Sequence, residues 1–222
     1  MPPVTLDERL RCAAEMFPTC ERGADIGADH GRLSLYLCKT NQVRHMVVSD
    51  ISELSLQKAR QLFDKNNLAD RAQFVCADGL DALTHPVDAI AILGMGGVSV
   101  SKIISAHPEK IGNARLIVSA HTDIPCLRKT IYENGLHLTD ERVVYCKNRF
   151  YVVMKAEKGA DTISEKQLFM GPCLLFATDE VYKAYLNKRF GVVSCIQKEE
   201  AQQYLQWIRE EQARVSNSQS SL

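Results

Sequence analysis

The sequence predicts an α/β fold in two parts, a mostly parallel sheet with a terminal antiparallel hairpin over residues 1–158 and a helical region over residues 159–222. Three observations predict it. Short apolar runs alternate with stretches of helical periodicity through the first part of the chain; two longer extended runs then follow each other with three residues between them; and after Gly159 the strand signal stops.

Each element follows from its own residues. Leu6, Leu10, Ala13, Ala14 and Phe17 recur at helical spacing, so an amphipathic helix opens the chain and Pro18 ends it. Strands are expected at Gly23 to Gly27, His45 to Asp50, Ala72 to Cys76, Ala89 to Leu93 and Leu116 to Ser119. Helices are expected between them, at Leu33 to Lys39, Glu53 to Asn66, Val98 to Ala106 and Pro125 to Glu133, the last stopped by Asn134-Gly135. Parallel neighbours need a crossover of a dozen or more residues, which these helices supply. Leu136 to Cys146 and Phe150 to Ala156, joined by Lys147-Asn148-Arg149, predict an antiparallel hairpin at the sheet edge. Five parallel strands finished in this way are the Rossmann-like layout of class I methyltransferases.

Thr162-Ile163-Ser164-Glu165 has the form of a capping box that opens the helical part. Thr178 to about Ala213 is helical by its spacing, and Gly191-Val192-Val193 weakens the middle, giving either a bent long helix or a helical hairpin. The tail from Val215 to Leu222 is Ser-rich and expected to fray.

Composition narrows the class. Apolar residues at 45% and charged residues at 24% are globular values that exclude extended disorder. No apolar run reaches the roughly 18 residues of a membrane span, and Met1 to Leu10 lacks a secretory layout, so a cytoplasmic protein with no membrane partner is expected. Eight scattered cysteines without a CxxC pair or clustered histidines give no metal site and read as reduced, mostly buried thiols. Basic and acidic residues number 27 each, so no net field advertises a nucleic-acid partner.

Chemistry concentrates at the strand ends. Ala24-Asp25-Ile26-Gly27-Ala28-Asp29-His30-Gly31 runs from a strand through a glycine turn into a helix, where open α/β sheets bind nucleotide-like ligands. It is not GxGxxG, and its two carboxylates would repel a pyrophosphate, which argues against an NAD enzyme. They suit the ammonium and sulfonium charges of S-adenosyl-L-methionine. Asp50 ends the second strand, where an acid accepts ribose hydroxyls, and Asp78 follows the third, where it accepts an adenine amino group. Ile51 and Gly79, beside those acids, are assigned to the same cofactor wall, as are Asp25 and Gly27. Asp is also a common cap or turn residue; three acids at successive strand ends favour the binding role. Leu93-Gly94-Met95-Gly96-Gly97 closes the fourth strand without the Asn/Asp-Pro-Pro-aromatic signature of amino-methylating adenine enzymes. Its glycines would let the cofactor (Gly94, Gly96) or a flat base (Gly97) lie on the backbone, and a helix-entry turn uses glycines equally well.

The chain resembles the TrmK family of bacterial tRNA (adenine-N1)-methyltransferases, which modify adenosine 22. The resemblance rests on Asp25-Ile26-Gly27-Ala28-Asp29-His30, Gly94-Met95-Gly96-Gly97, Tyr132-Glu133-Asn134-Gly135, Glu157-Lys158-Gly159 and Gly171-Pro172-Cys173-Leu174-Leu175. It implies a catalytic domain at 1–158, a coiled-coil-like domain at 159–222 that helps hold tRNA, and S-adenosyl-L-methionine as cofactor. Two departures stand out: Ser119-Ala120-His121 replaces a Gln-Pro-Asn-like turn, and the helix after Asp29-His30 lacks Tyr-Leu-Pro. From Gly159 onward seven basic residues face eight acidic ones, which adds no electrostatic argument for RNA.

Asp29 and His30 are the catalytic candidates, since they leave the loop toward its open mouth beyond the cofactor residues; His121, at the end of the fifth strand, is assigned to the substrate side with Gly97. Methylation of another RNA or of a small molecule, and a non-catalytic RNA-binding role, are the alternatives.

Overall fold

The computed structural model describes residues 4–197 and 199–217. Helix α1 (Glu8–Met16) is capped by Asp7, whose carboxylate accepts the Leu10 N–H at 3.0 Å, and it ends where Phe17 turns extended before Pro18. Then come β1 (Cys20–Ile26), α2 (Arg32–Lys39), β2 (Val43–Asp50), α3 (Glu53–Asp64), β3 (Ala72–Cys76), β4 (Ala89–Ile92), α4 (Gly97–Ala106), the short α5 (Pro108–Ile111), β5 (Arg115–Ala120), α6 (Ile124–Glu133), β6 (Leu136–Cys146) and β7 (Arg149–Lys158).

Seven strands form one sheet in the order β3-β2-β1-β4-β5-β7-β6. The first five are parallel; β7 runs antiparallel to both β5 and β6. The hairpin is therefore inserted with its second strand innermost, and of its two strands β6 is the one at the edge, opposite the β3 edge. Its turn, Lys147-Asn148, has positive φ at both residues, the type I′ pattern that matches strand twist. Ile26 stands opposite Ser49 on one side and Ile92 on the other, so the loops leaving β1, β2 and β4 open at one level.

Alternation along the strands divides the core. Ala89, Ala91, Met46, Val48 and Ile117 pack against α1, α2 and α3, whereas Ile90, Ile92, Leu116 and Val118 pack against α4 and α6 on the other face. The C-terminal helices α7 (Glu165–Met170), α8 (Glu180–Ser194) and α9 (Glu199–Asn217) bury Met170, Tyr182, Leu186, Ile208 and Val215 in that second cluster. At the seam Arg128 of α6 and Glu141 of β6, both fully buried, pair at 2.8 Å. Arg128 also donates to the carbonyls of Leu168 and Phe169, and Glu141 accepts the Cys173 N–H. Gly171 is required there, because a Cβ would meet Arg128 Nη2 at 2.6 Å and Glu141 Oε2 at 2.8 Å.

Several local expectations are corrected. The capping box is Ser164 with Gln167, two residues later than expected, because Gln167 at the third helical position returns the bond to the Ser164 N–H. The long C-terminal helix is a hairpin, and its break falls after Ser194, not at Gly191, which lies inside α8. Val215 is buried and α9 continues to Asn217; the rest of the Ser-rich tail lies outside the described residues. Only Cys12, Cys38 and Cys146 are buried thiols, while Cys76, Cys126 and Cys195 are exposed. No helix of the described residues is long and apolar enough to cross a membrane.

Candidate cofactor and catalytic site

Asp25 is almost wholly buried near the end of β1, where its carboxylate accepts the Ser34 hydroxyl of α2 at 2.7 Å. Burial pushes its pKa up to about 6, against the Ser34 bond and the nearby Arg9 guanidinium, which favour the charged form. The chain then turns at Gly27, with φ of +70° and a position at which a Cβ would run into the Met95 methyl group. Ala28 donates its N–H to the Ser49 carbonyl at 2.8 Å. Asp29 adopts a left-handed φ of 50° and donates its N–H to Asp50 Oδ2 at 3.0 Å. The other Asp50 oxygen accepts the Ser52 N–H at 2.9 Å, so one carboxylate joins the β1–α2 loop to the β2–α3 turn.

This fastening leaves the Asp29 side chain 73% exposed. His30 Nε2 lies 3.4 Å from Asp29 Oδ1 and 3.3 Å from Lys58 Nζ, so at the rim one ring nitrogen faces both, donating to the carboxylate when protonated or accepting from the ammonium when not. After β3, exposed Asp78 makes no capping bond to the turn that follows; Gly79 beyond it has φ of +51°.

A cavity of about 670 Å³, a size suited to a nucleotide-like ligand, lies over these strand ends. The structure brings Asp25, Gly27, Asp29, His30, Asp50, Ile51, Asp78, Gly79 and Gly94 together on its wall. It does not bring Gly96, Gly97 or His121 there. Gly96 caps α4, and the Gly97 N–H donates to the Thr122 carbonyl at 3.0 Å. A Cβ on Gly97 would lie 2.5 Å from the Asp123 carbonyl oxygen, so its small size serves packing of α4 against the β5–α6 loop. His121 meets the Tyr151 ring edge-on, with centroids 5.5 Å apart, and its buried Nδ1 has no protein partner.

Sequence reasoning missed several wall residues, among them Arg9 of α1 and Ser99, Lys102 and Ile103 of α4. The periodicity that identifies these helices marks their apolar stripe, and the cavity is reached by residues flanking it.

The sequence model of the TrmK family, described as tRNA (adenine(22)-N(1))-methyltransferase, matches residues 23–218. A Bacillus subtilis tRNA (adenine(22)-N(1))-methyltransferase is 30% identical over 156 residues, 69% of this chain and 66% of the relative, just under two thirds of its length. A Streptococcus pneumoniae protein, provisionally described as a tRNA (m1A22) methyltransferase and solved with S-adenosyl-L-methionine, is 25% identical with a TM-score of 0.87, covering 94% of this chain and 100% of that one. The crystal structure of Bacillus subtilis TrmK, 24% identical, has the same fold at a TM-score of 0.80, over 96% of this chain and 98% of that one. The match of the family model across the β1–α2 loop, sheet and helical hairpin alike places the chain in the TrmK family, tRNA (adenine(22)-N(1))-methyltransferase.

Proposed function

We propose that this protein transfers a methyl group from S-adenosyl-L-methionine to N1 of adenosine 22 in tRNA. The observation that carries the reading is one cavity with acids at three successive strand ends and a further acid, Asp29, at its mouth.

The wall fits the cofactor by its donor and acceptor set. Asp50 and Asp78 offer acceptors for ribose hydroxyls and an adenine amino group, Ile51 offers an exposed apolar side chain for a flat ring, and Asp25 offers a buried anion for an ammonium group. When bound, S-adenosyl-L-methionine supplies an electrophilic methyl group on a sulfonium centre.

Adenine N1 carries an in-plane lone pair, so no proton need be removed first, and the protein's task is alignment. The methylated base is cationic. Asp29, held by its backbone while its carboxylate stays at the mouth, is placed to accept an N6 hydrogen bond and to stabilise that charge. His30 steadies Asp29 and is available to take up a proton as the product relaxes. Gly97 and His121 act on the substrate side less directly, by fixing the β5–α6 loop and through contact with Tyr151.

Residues 1–158 form the catalytic domain in this reading, and residues 159–222 help engage tRNA; a tRNA substrate puts the work in the cytoplasm. The test is methylation of bulk tRNA lacking the modification, with nuclease digestion and mass spectrometry to map the product. Methyl transfer to N1 of adenosine 22 is expected. A methylated base elsewhere would move the substrate to another RNA, and no transfer to any RNA would overturn the reading.

A further inference from the structure

The turn end of the β6–β7 hairpin stands outside the cofactor cavity but on the same side of the sheet. The β5–β7 ladder finishes at the Ala120–Val152 pair, while β7 begins three residues earlier at Arg149, so the hairpin projects roughly 10 Å past the end of β5. Because β1, β4 and β5 are parallel, the projection rises where the cavity opens. Tyr151 joins the two regions: the guanidinium of Arg9, a residue of the cavity wall, lies over its ring at 5.5 Å.

From Arg142 to Lys155 the hairpin carries four basic residues and no acidic one, a local excess that the balanced charge of the whole chain hides. Three of the four are paired: Arg142 with Glu15 and Asp140, Lys147 with Asp7, and Lys155 with Glu157. Exposed Arg149 makes no side-chain hydrogen bond, ion pair or ring contact among the described residues. One step back in the register Tyr145 is 49% exposed, leaning on Phe150 with ring centroids 4.8 Å apart, and its hydroxyl reaches Asn148 Oδ1 at 3.5 Å. Phe150 in turn meets Tyr185 of α8 at 5.7 Å. The Tyr145 ring is thus backed by protein on one side and open to solvent on the other. An aromatic ring held in the open, with a free guanidinium next in register, suits nucleic acid: stacking accepts any base, and the planar fork pairs with phosphate. The tip also stands between the cavity and α8, so an RNA that reaches from the cavity mouth to the helical region crosses it.

We propose that the tip of the β6–β7 hairpin is an RNA contact, in which Tyr145 stacks on a base near the target adenosine and Arg149 pairs with a backbone phosphate. The assignment rests on the reading of tRNA as the substrate. It gives the catalytic domain its own hold on the RNA, apart from the helical region.

The full chain tests it by fluorescence anisotropy with an unmodified tRNA transcript, beside methylation kinetics and S-adenosylhomocysteine affinity. Tyr145→Ala should weaken tRNA binding and raise KM about 5- to 30-fold, with kcat and S-adenosylhomocysteine affinity unchanged. Tyr145→Trp, which keeps a stacking face, should stay within about threefold of the unaltered protein, whereas Tyr145→Leu, which keeps an apolar contact with Phe150 but has no ring, should lose as much as Tyr145→Ala. Arg149→Gln should weaken binding and reduce the slope of log affinity against log salt by about 1. Full tRNA affinity in Tyr145→Leu would make the ring a packing residue and overturn the assignment, as would an unchanged salt slope in Arg149→Gln together with unchanged KM in Tyr145→Ala. A dimer of the unaltered protein that Tyr145→Ala dissolves, with tRNA affinity intact, would overturn it in favour of an interface between copies. If the unaltered protein neither bound nor methylated tRNA, the substrate reading would fall first and this assignment with it.

Discussion

Asp50 accepts the backbone N–H of Asp29 at 3.0 Å, and through this bond the acid assigned to the cofactor sets the position of the acid assigned to the target base. Affinity and rate are thereby linked across two strand ends. Asp50→Ala should weaken cofactor binding by about 1 to 3 kcal/mol, the range for charge-assisted hydrogen bonds. It should also lower the single-turnover rate at saturating cofactor, because the Asp29 loop loses its fastening. A rate that recovers fully at saturation would show that Asp50 serves the ribose alone.

Asp29→Asn separates charge from shape. Transfer should slow by roughly 10²-fold, as for a preorganised electrostatic contact, with cofactor affinity nearly preserved. His30→Ala should cost less, since the imidazole reaches the base only by way of Asp29 or the rim. Single-turnover rates beside dissociation constants measure both. Normal turnover in Asp29→Asn would remove the carboxylate charge from the mechanism.

Asp25 gives the fold a pH dependence. Its carboxyl holds a proton up to about pH 6 in the folded state, against an ordinary value of 3.8. The stability it contributes is present below the lower value and is lost as pH rises through the higher one. Asp25→Asn should abolish that decline and raise unfolding free energy at neutral pH by on the order of 2 to 3 kcal/mol, read by urea denaturation. Cofactor affinity should move the opposite way: it should tighten through about pH 6 in the unaltered protein, as the carboxylate becomes charged, and stay weak and flat in Asp25→Asn. A variant that bound the cofactor normally would exclude an ionic contact at Asp25.

The Arg128–Glu141 pair ties β6 and α6 to the start of the helical hairpin. Removing one member leaves the other buried and uncompensated, so Arg128→Met or Glu141→Gln should cost about 3 to 5 kcal/mol in denaturant titration. Gly171→Ala should also destabilise the protein, because a Cβ at φ of +105° enters the same pair. A change below about 1 kcal/mol in all three would show that the seam relaxes without them.

The helical hairpin shares the core of the sheet, so excising it would test folding and not RNA engagement. Exposed Lys188 and Arg209 offer a gentler probe. Their joint replacement by Glu should raise KM for tRNA about threefold to tenfold, more at low salt, with S-adenosylhomocysteine affinity unchanged. An unchanged KM would count against RNA contact at these two positions.

Much of this arrangement was legible in the residues. Short extended stretches set between helical ones mark β1 to β5 to within three residues, and acids at strand ends mark the cavity wall. What was not legible depended on tertiary partners. Gly191 weakens a helix only where propensity decides, and α8 is held by buried Tyr185, Leu186 and Val193 around it. Gly97 looked like a floor for a ligand because sequence cannot show that the Asp123 carbonyl occupies the space where its side chain would be. Arg9 carries no signal of its own on an amphipathic helix, and only the packing of α1 brings it to the cavity wall.

Sheet order and synthesis order part twice: β4 pairs with β1 and not with β3, and, in the hairpin, β6 is made before β7 although β7 is the strand that pairs with β5. A nascent chain therefore cannot extend its sheet strand by strand past β5. The hairpin must close first at Lys147-Asn148 and then dock as a unit, and until it does the edge of β5, with Leu116 to Ala120, has unpaired backbone groups. The helices α7 to α9, which join α4 and α6 in the core on one face of that sheet, emerge later still. A slow step late in folding, exposed to aggregation and sensitive to the turn residues, is built into the topology.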